Sequence, residues 1–201
     1  MPDRFCHVAE RISAGDLAIG NLESALRQYA QTTQYHPYIS VNAHNFWWLV
    51  TGGQGWQSDA LSFAFVSYRL AGFVLFGGAT LLSLAVVWRN RSALHLTAAY
   101  QSLAFFMLLT QIHENHHLPL FAPLVLACAL NRRLWIVYGA LSLTALANMA
   151  LHDPNIVMAL GYPAKEIYGG PALALPRWIN ALIQAALFGV LTAHVIAARR
   201  A

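Results

Sequence analysis

Arginines cut the apolar part of this chain into lengths close to the thickness of a lipid bilayer. One apolar stretch runs from Tyr68 to Trp88 and stops at Arg89 and Arg91; a second covers Leu94 to Thr110. A third runs from Leu118 to Leu130, ending at Arg132 and Arg133. A fourth covers Leu134 to Leu151, and a fifth Trp178 to Ala198, ahead of Arg199 and Arg200. A helix rises about 1.5 Å per residue, so about 20 residues cross a hydrocarbon core of about 30 Å. The spacing predicts an all-α, polytopic membrane protein with about five transmembrane helices. Composition agrees, because 10% of residues are charged and 58% hydrophobic, against roughly 25% charged in a soluble domain. That balance excludes a cytosolic enzyme, a disulfide-stapled secreted domain and a disordered chain.

Charge placement orients the spans. The arginine pairs Arg89/Arg91, Arg132/Arg133 and Arg199/Arg200 fall on one side, which the positive-inside rule makes the cytoplasm. The C-terminus is then cytoplasmic. Residues 1–60 form an extracytoplasmic N-terminal segment, 61–201 the helical bundle, and residues 113–117 and 152–177 lie outside. The net charge of +4 comes without any basic run that could hold a nucleic acid duplex. Cys6 and Cys128 fall in polar and apolar surroundings respectively and make no disulfide framework.

In the N-terminal segment, Leu22, Leu26 and Tyr29 lie on one helical face behind Asn21 as N-cap, which predicts a short amphipathic helix. His36-Pro37-Tyr38 reads as extended, Phe46–Val50 as an interfacial aromatic anchor, and Thr51-Gly52-Gly53 as a turn. A polar export segment without a leader peptide reads as the C-terminal part of a longer membrane protein.

Counting spans inward from the arginines brings Arg69, His113, Glu114, His116, His117, His152, Asp153 and Arg177 to one depth at the outer interface. Ionisable groups at membrane depth point to function, and cations at headgroup level suit the phosphate of a lipid. Arg69, His113, Glu114, His116 and His117 are the candidate lipid-phosphate residues, with Arg69 as the bidentate donor. His95 and His194 read as helix-terminal, and His7, His36 and His44 carry no informative spacing.

The run His113–His117 also satisfies the H-E-x-x-H of an intramembrane zinc protease, a further alternative in which His113 and His117 would bind zinc, Glu114 would act as base and Asp153 would add a third ligand. Pro119 opposes a helical ligand turn, because its ring clashes with the carbonyl of Asn115. No metal site is therefore assigned.

Gln111–Phe121, which reads Q-I-H-E-N-H-H-L-P-L-F, resembles the "HERY-L-x-P" hairpin of bacterial GT-C glycosyltransferases. Tyr38–Leu49, which reads Y-I-S-V-N-A-H-N-F-W-W-L, is similar to their "S-x-N-A-x-N-x-W" extracytoplasmic segment, and Ser67–Gly72 follows where that family resumes its spans. The resemblance covers about residues 30 to 151. It implies a mannosyltransferase-like enzyme of the bacterial inner membrane that takes sugar from a polyprenyl-phosphate donor. It also implies a carboxylate base in an N-terminal half that this chain lacks, so the chain is a truncated, incomplete enzyme whose catalytic residue is unassigned. Where the family has Arg-Tyr after His-Glu, this sequence has Asn115-His116. No cofactor is implied, although some relatives of the fold use a divalent cation. The implied partners are a polyprenyl-phosphate or other membrane lipid and a membrane protein supplying the missing half. The rival is a non-catalytic scaffold subunit of a larger complex, in which Gly72, Gly77, Gly78, Ala140 and Gly189 permit close helix contacts.

Overall fold

The computed structural model describes residues 27, 36–63 and 65–199. Internal contacts divide the chain into residues 1–36 and 37–201. The helix predicted around Leu22, Leu26 and Tyr29 lies outside the described residues. The second unit is mostly helical. It opens with an irregular extended segment and helix α1 (Phe46–Val50), then a small hairpin of β1 (Ser62–Phe63) and β2 (Val66–Ser67). The long helices follow: α2 (Tyr68–Arg89), α3 (Leu94–Leu108), α4 (Phe121–Leu130) and α5 (Leu134–Ala150). A short α6 (Pro154–Ala159) and two 3₁₀ turns, Ala164–Tyr168 and Pro171–Leu173, lead into α7 (Ala174–Ala198).

Local chemistry marks the ends of these helices. Ser67 caps α2, its hydroxyl accepting the Leu70 N–H at 3.2 Å. Asn90 closes the other end, its side-chain amide donating to Ala198 O at 2.9 Å and its carbonyl oxygen accepting from Ser92 N. One asparagine thus ties the α2–α3 turn to the last turn of α7. Pro119 sits in the 3₁₀ turn Leu118–Leu120 ahead of α4, where a missing N–H does no harm.

Helix α3 runs through the middle of the core. Ala99, Tyr100, Leu103, Ala104, Phe106 and Met107 are buried there against Leu124 and Cys128 of α4, Val137 and Leu141 of α5, and Leu191 and Val195 of α7. The Tyr100 and Phe188 rings stack with centroids 5.6 Å apart. Helix α2 packs closely on α3 through Gly72, where a Cβ would come within 2.9 Å of Leu108 O. Its opposite face leaves Phe73, Val74, Leu81, Leu84 and Trp88 exposed.

Among the described residues, two helices are long and apolar enough to cross a membrane: Tyr68–Arg89, and Pro171–Ala198 counted with its leading turn. Leu118–Leu130 and Leu134–Ala150 are apolar but shorter. The aromatic run Phe46–Val50 departs from the interfacial anchor expected of it. Asn45 caps it by accepting from Trp48 N, which turns Trp47 and Trp48 inward. Both are buried, and Trp47 Nε1 donates to Leu108 O at 2.6 Å. A buried indole N–H needs such an acceptor, and here the backbone supplies it.

Candidate functional site

At one end of the bundle, two stretches far apart in sequence are sewn together. Gln111 N donates to Tyr38 O at 2.9 Å, Val41 N donates to Ile112 O at 2.9 Å, and Val41 and Asn42 both bridge to His113. On its other flank the same segment receives the 55–59 loop, with Ile39 N to Gln57 O and Ser40 N to Gly55 O. Gly55 is required, because a Cβ there would lie 2.6 Å from Ser40 O. Asn45 completes the join through its amide group, which donates to Phe106 O and Leu109 O.

Arg69 stands beside this ladder, but the edge of its guanidinium is already engaged. Nε and Nη2 donate to the two carboxylate oxygens of Asp59 at 2.9 and 2.7 Å. Thr110 and Gln111 donate to the same carboxylate at 3.0 and 2.9 Å. Burial works against a charged Asp59, yet the bonds from Arg69, Gln111 and Thr110 outweigh it and hold the carboxyl below its ordinary range. The bidentate edge that was expected to meet a phosphate thus closes on an internal partner. Sequence gave no sign of this, because Asp59 belongs to a polar loop with no motif.

The 113–117 run is a turn. His116 N donates to His113 O, Leu118 N to Asn115 O and Leu120 N to His117 O. His113 N donates to His116 Nδ1 at 3.1 Å, so Nε2 of His116 carries its proton. His113 and His117 therefore do not share a helical face, and the H-E-x-x-H geometry is not formed. Among the described residues no group of three His, Cys, Asp or Glu side chains is placed to hold a metal ion. His116 is half-buried and Glu114 partly exposed. His117 is 3% exposed, wedged edge-on against Phe106 at 4.8 Å, with neither ring nitrogen hydrogen-bonded. Burial, with His116 next to it, pushes the His117 imidazole down to about 4.

Behind the turn lies a buried polar knot. Asn180 Nδ2 donates to His44 Nδ1 at 2.8 Å, and His44 Nε2 meets His152 Nε2 at 3.1 Å. His152 Nδ1 lies 2.7 Å from Ile167 O. Only one set of tautomers satisfies every link: His44 protonated on Nε2 and His152 on Nδ1, both rings neutral. Asn148 holds the backbone on either side of this ring, accepting from His44 N at 2.9 Å and donating to Asn42 O at 2.7 Å. Burial, then the charges of His152, Arg177 and His117, keep the His44 imidazole well below its usual range. Burial and Arg177 likewise push His152 down to about 4 against the pull of its bond to Ile167.

The expected polar residues thus gather at one end of the bundle, Arg177 through a bond to Leu151 O at 2.9 Å and the rest in three groups. Arg69 joins Asp59 by an ion pair. His113, His116 and His117 form the turn. Glu114 and Asp153 border an open cleft of about 310 Å³ that is also lined by Asn115, His152 and Met149. His44, Asn148 and Asn180 were missed because their partners lie 104 to 136 residues away, beyond the reach of any local pattern. No protein-family model, curated protein or solved structure matches the chain.

Proposed function

We propose that this chain is the C-terminal part of a GT-C-like membrane glycosyltransferase that binds a polyprenyl-phosphate-linked sugar at its polar end. One observation carries the proposal. The two stretches that resemble GT-C motifs, 38–49 and 111–121, are hydrogen-bonded to one another at a single end of the bundle. Motifs that contribute to one site must meet in space, and an accidental pair of matches has no reason to do so.

In this proposal α2, α3, α4, α5 and α7 all lie in the bilayer. The shorter helices are extended by their 3₁₀ turns and by local thinning of the membrane. The arginine-bearing connections face the cytoplasm, and the polar end faces outward in a bacterial inner membrane. The donor sugar and its phosphate meet the 113–117 turn, where His113 and His116 donate to phosphate oxygens and Glu114 orients an acceptor hydroxyl. Arg69 acts one step away: it anchors Asp59, and through Gln111 and Thr110 it sets the position of the turn. The base that deprotonates the acceptor comes from an N-terminal half on another chain or chain segment.

A scaffold role without chemistry has a specific observation in its favour, namely that Arg69 is paired with Asp59, and His44 and His152 with each other, Asn180 and Ile167 O. Binding separates the two. The purified chain in maltoside is titrated with a short polyprenyl phosphate and with the matching prenol. The glycosyltransferase proposal requires the phosphate to bind at least 10-fold more tightly, and requires His113→Ala/His116→Ala to abolish that difference. Equal binding of phosphate and alcohol, with a stable stoichiometric protein partner on copurification, establishes the scaffold instead.

A further inference from the structure

Arg177 is a buried cation whose guanidinium bonds no carboxylate directly. It lies in the first turn of α7, is 1% exposed, and forms no ion pair among the described residues. Glu166, itself buried, attracts the guanidinium through space, but its carboxylate accepts the Ala172 N–H at 2.9 Å and makes no direct bond to Arg177. The guanidinium instead donates to backbone carbonyls: Nη2 to Leu151 O at 2.9 Å and to Glu166 O, and Nη1 to Gly170 O at 3.3 Å. Its Nε has no partner at all. Taking an arginine out of water costs several kcal/mol unless a counter-charge compensates. Neutral carbonyls, an orphaned N–H and the unbonded Glu166 carboxylate compensate only in part.

Three of the oxygens around this corner come from one short strap. Glu166 O and Gly170 O face Arg177, while Ile167 O faces the Nδ1–H of His152. The strap consists of the two 3₁₀ turns, joined through Gly169 at φ 108°. It rests on its own small apolar cluster of Val157, Ile167 and Leu173, with Leu151 and Tyr162, separate from the main core. An element with its own minor cluster opens at lower free energy than the core does.

We infer that the 164–173 strap covers an anion site, its carbonyl oxygens standing where the oxygens of a phosphate group bind once the strap lifts. Lifting it releases Arg177 and His152 together, a planar fork from α7 and a ring N–H from the turn after α5, which is the donor set that phosphate oxygens take. The unpartnered Nε then gains an acceptor and the buried guanidinium a directly bonded anion. The site lies at the same end as the 113–117 turn, since His152 also lines the cleft bordered by Glu114 and Asp153. The inference deepens the lipid-phosphate proposal by giving the phosphate a seat that Arg69 does not provide.

The test uses the full chain in maltoside, with a short prenyl phosphate, inorganic phosphate and the matching prenol as probes, and reads affinity and amide hydrogen exchange. Prenyl phosphate should speed exchange across 164–173, and Arg177→Gln should weaken it at least 10-fold. Gly170→Ala is a charge-neutral way to loosen the strap, because its Cβ would meet the Glu166 carboxylate; it should tighten phosphate binding severalfold. Binding of both phosphates identifies a general phosphate seat, and binding of prenyl phosphate alone a lipid one. Slower or unchanged exchange across the strap on binding, or affinity indifferent to Gly170→Ala, overturns the strap, even if Arg177→Gln fails to fold. Prenyl phosphate binding that depends on His113 and His116 but not on Arg177 leaves the glycosyltransferase proposal standing and removes this one. Arg177-dependent binding of inorganic phosphate, with none of the prenyl phosphate, does the reverse.

Discussion

His44 and His152 meet Nε2 to Nε2 at 3.1 Å, although 108 residues separate them in the chain. One ring belongs to the segment before α1 and the other to the end of α5, so this contact fixes where the extended segment docks on the bundle. Each ring is neutral, and each far nitrogen is held by a separate group, Asn180 for His44 and Ile167 O for His152.

Protonation should therefore loosen the polar end. His117 and His152 titrate near 4 in the folded chain, against about 6.5 when unfolded. The unfolded chain binds more protons between these values, so these two rings make stability fall as pH drops from about 6.5 through about 4. Each ring contributes on the order of 3 kcal/mol to that loss. Denaturant unfolding in detergent across pH 7 to 4 measures it, and His117→Phe should flatten the slope by about a third or less, since His44, His116 and His152 are lowered as well.

Asp59 has the same sign but a lower window. Its folded carboxyl titrates below the ordinary range, so its stabilisation is complete above about pH 4 and is lost as pH falls through the folded value. Arg69→Leu leaves the carboxylate buried without its partner and should cost about 3 kcal/mol. Asp59→Asn/Arg69→Leu should recover much of that cost, as read by thermal unfolding of the two variants.

Close backbone approach makes another prediction. Gly55→Ala places a Cβ against Ser40 O and should lower stability by about 2 kcal/mol. Gly77→Ala, which meets nothing within 4 Å, should leave stability within about 0.5 kcal/mol. Comparing the two separates strain at the ladder from a general intolerance of bulk.

Orientation can be read in intact cells. In a background with Cys6 and Cys128 replaced, Asn115→Cys should react with a membrane-impermeant maleimide added outside, and Asn131→Cys only after permeabilisation. The opposite pattern would invert the topology.

Helix positions were legible in the sequence because arginines and prolines punctuate apolar stretches, and burial inside a helix needs no partner knowledge to predict a helix. The gathering of polar residues at one end followed from counting helical rise. What escaped was pairing. Nothing near Arg69 says that Asp59 engages its Nε and Nη2, and nothing near His44 names His152 or Asn180. Trp47 and Trp48 looked interfacial because aromatic content alone cannot tell a membrane anchor from an indole seeking a backbone carbonyl.

The most direct measurement is photocrosslinking of the full chain in membranes with a polyprenyl phosphate carrying a diazirine on its first isoprene unit. The account predicts adducts on peptides from 38–49 and 111–121, competed by unlabelled polyprenyl phosphate and not by prenol. Adducts confined to the outward faces of α2 and α7, or equal competition by the alcohol, would contradict it.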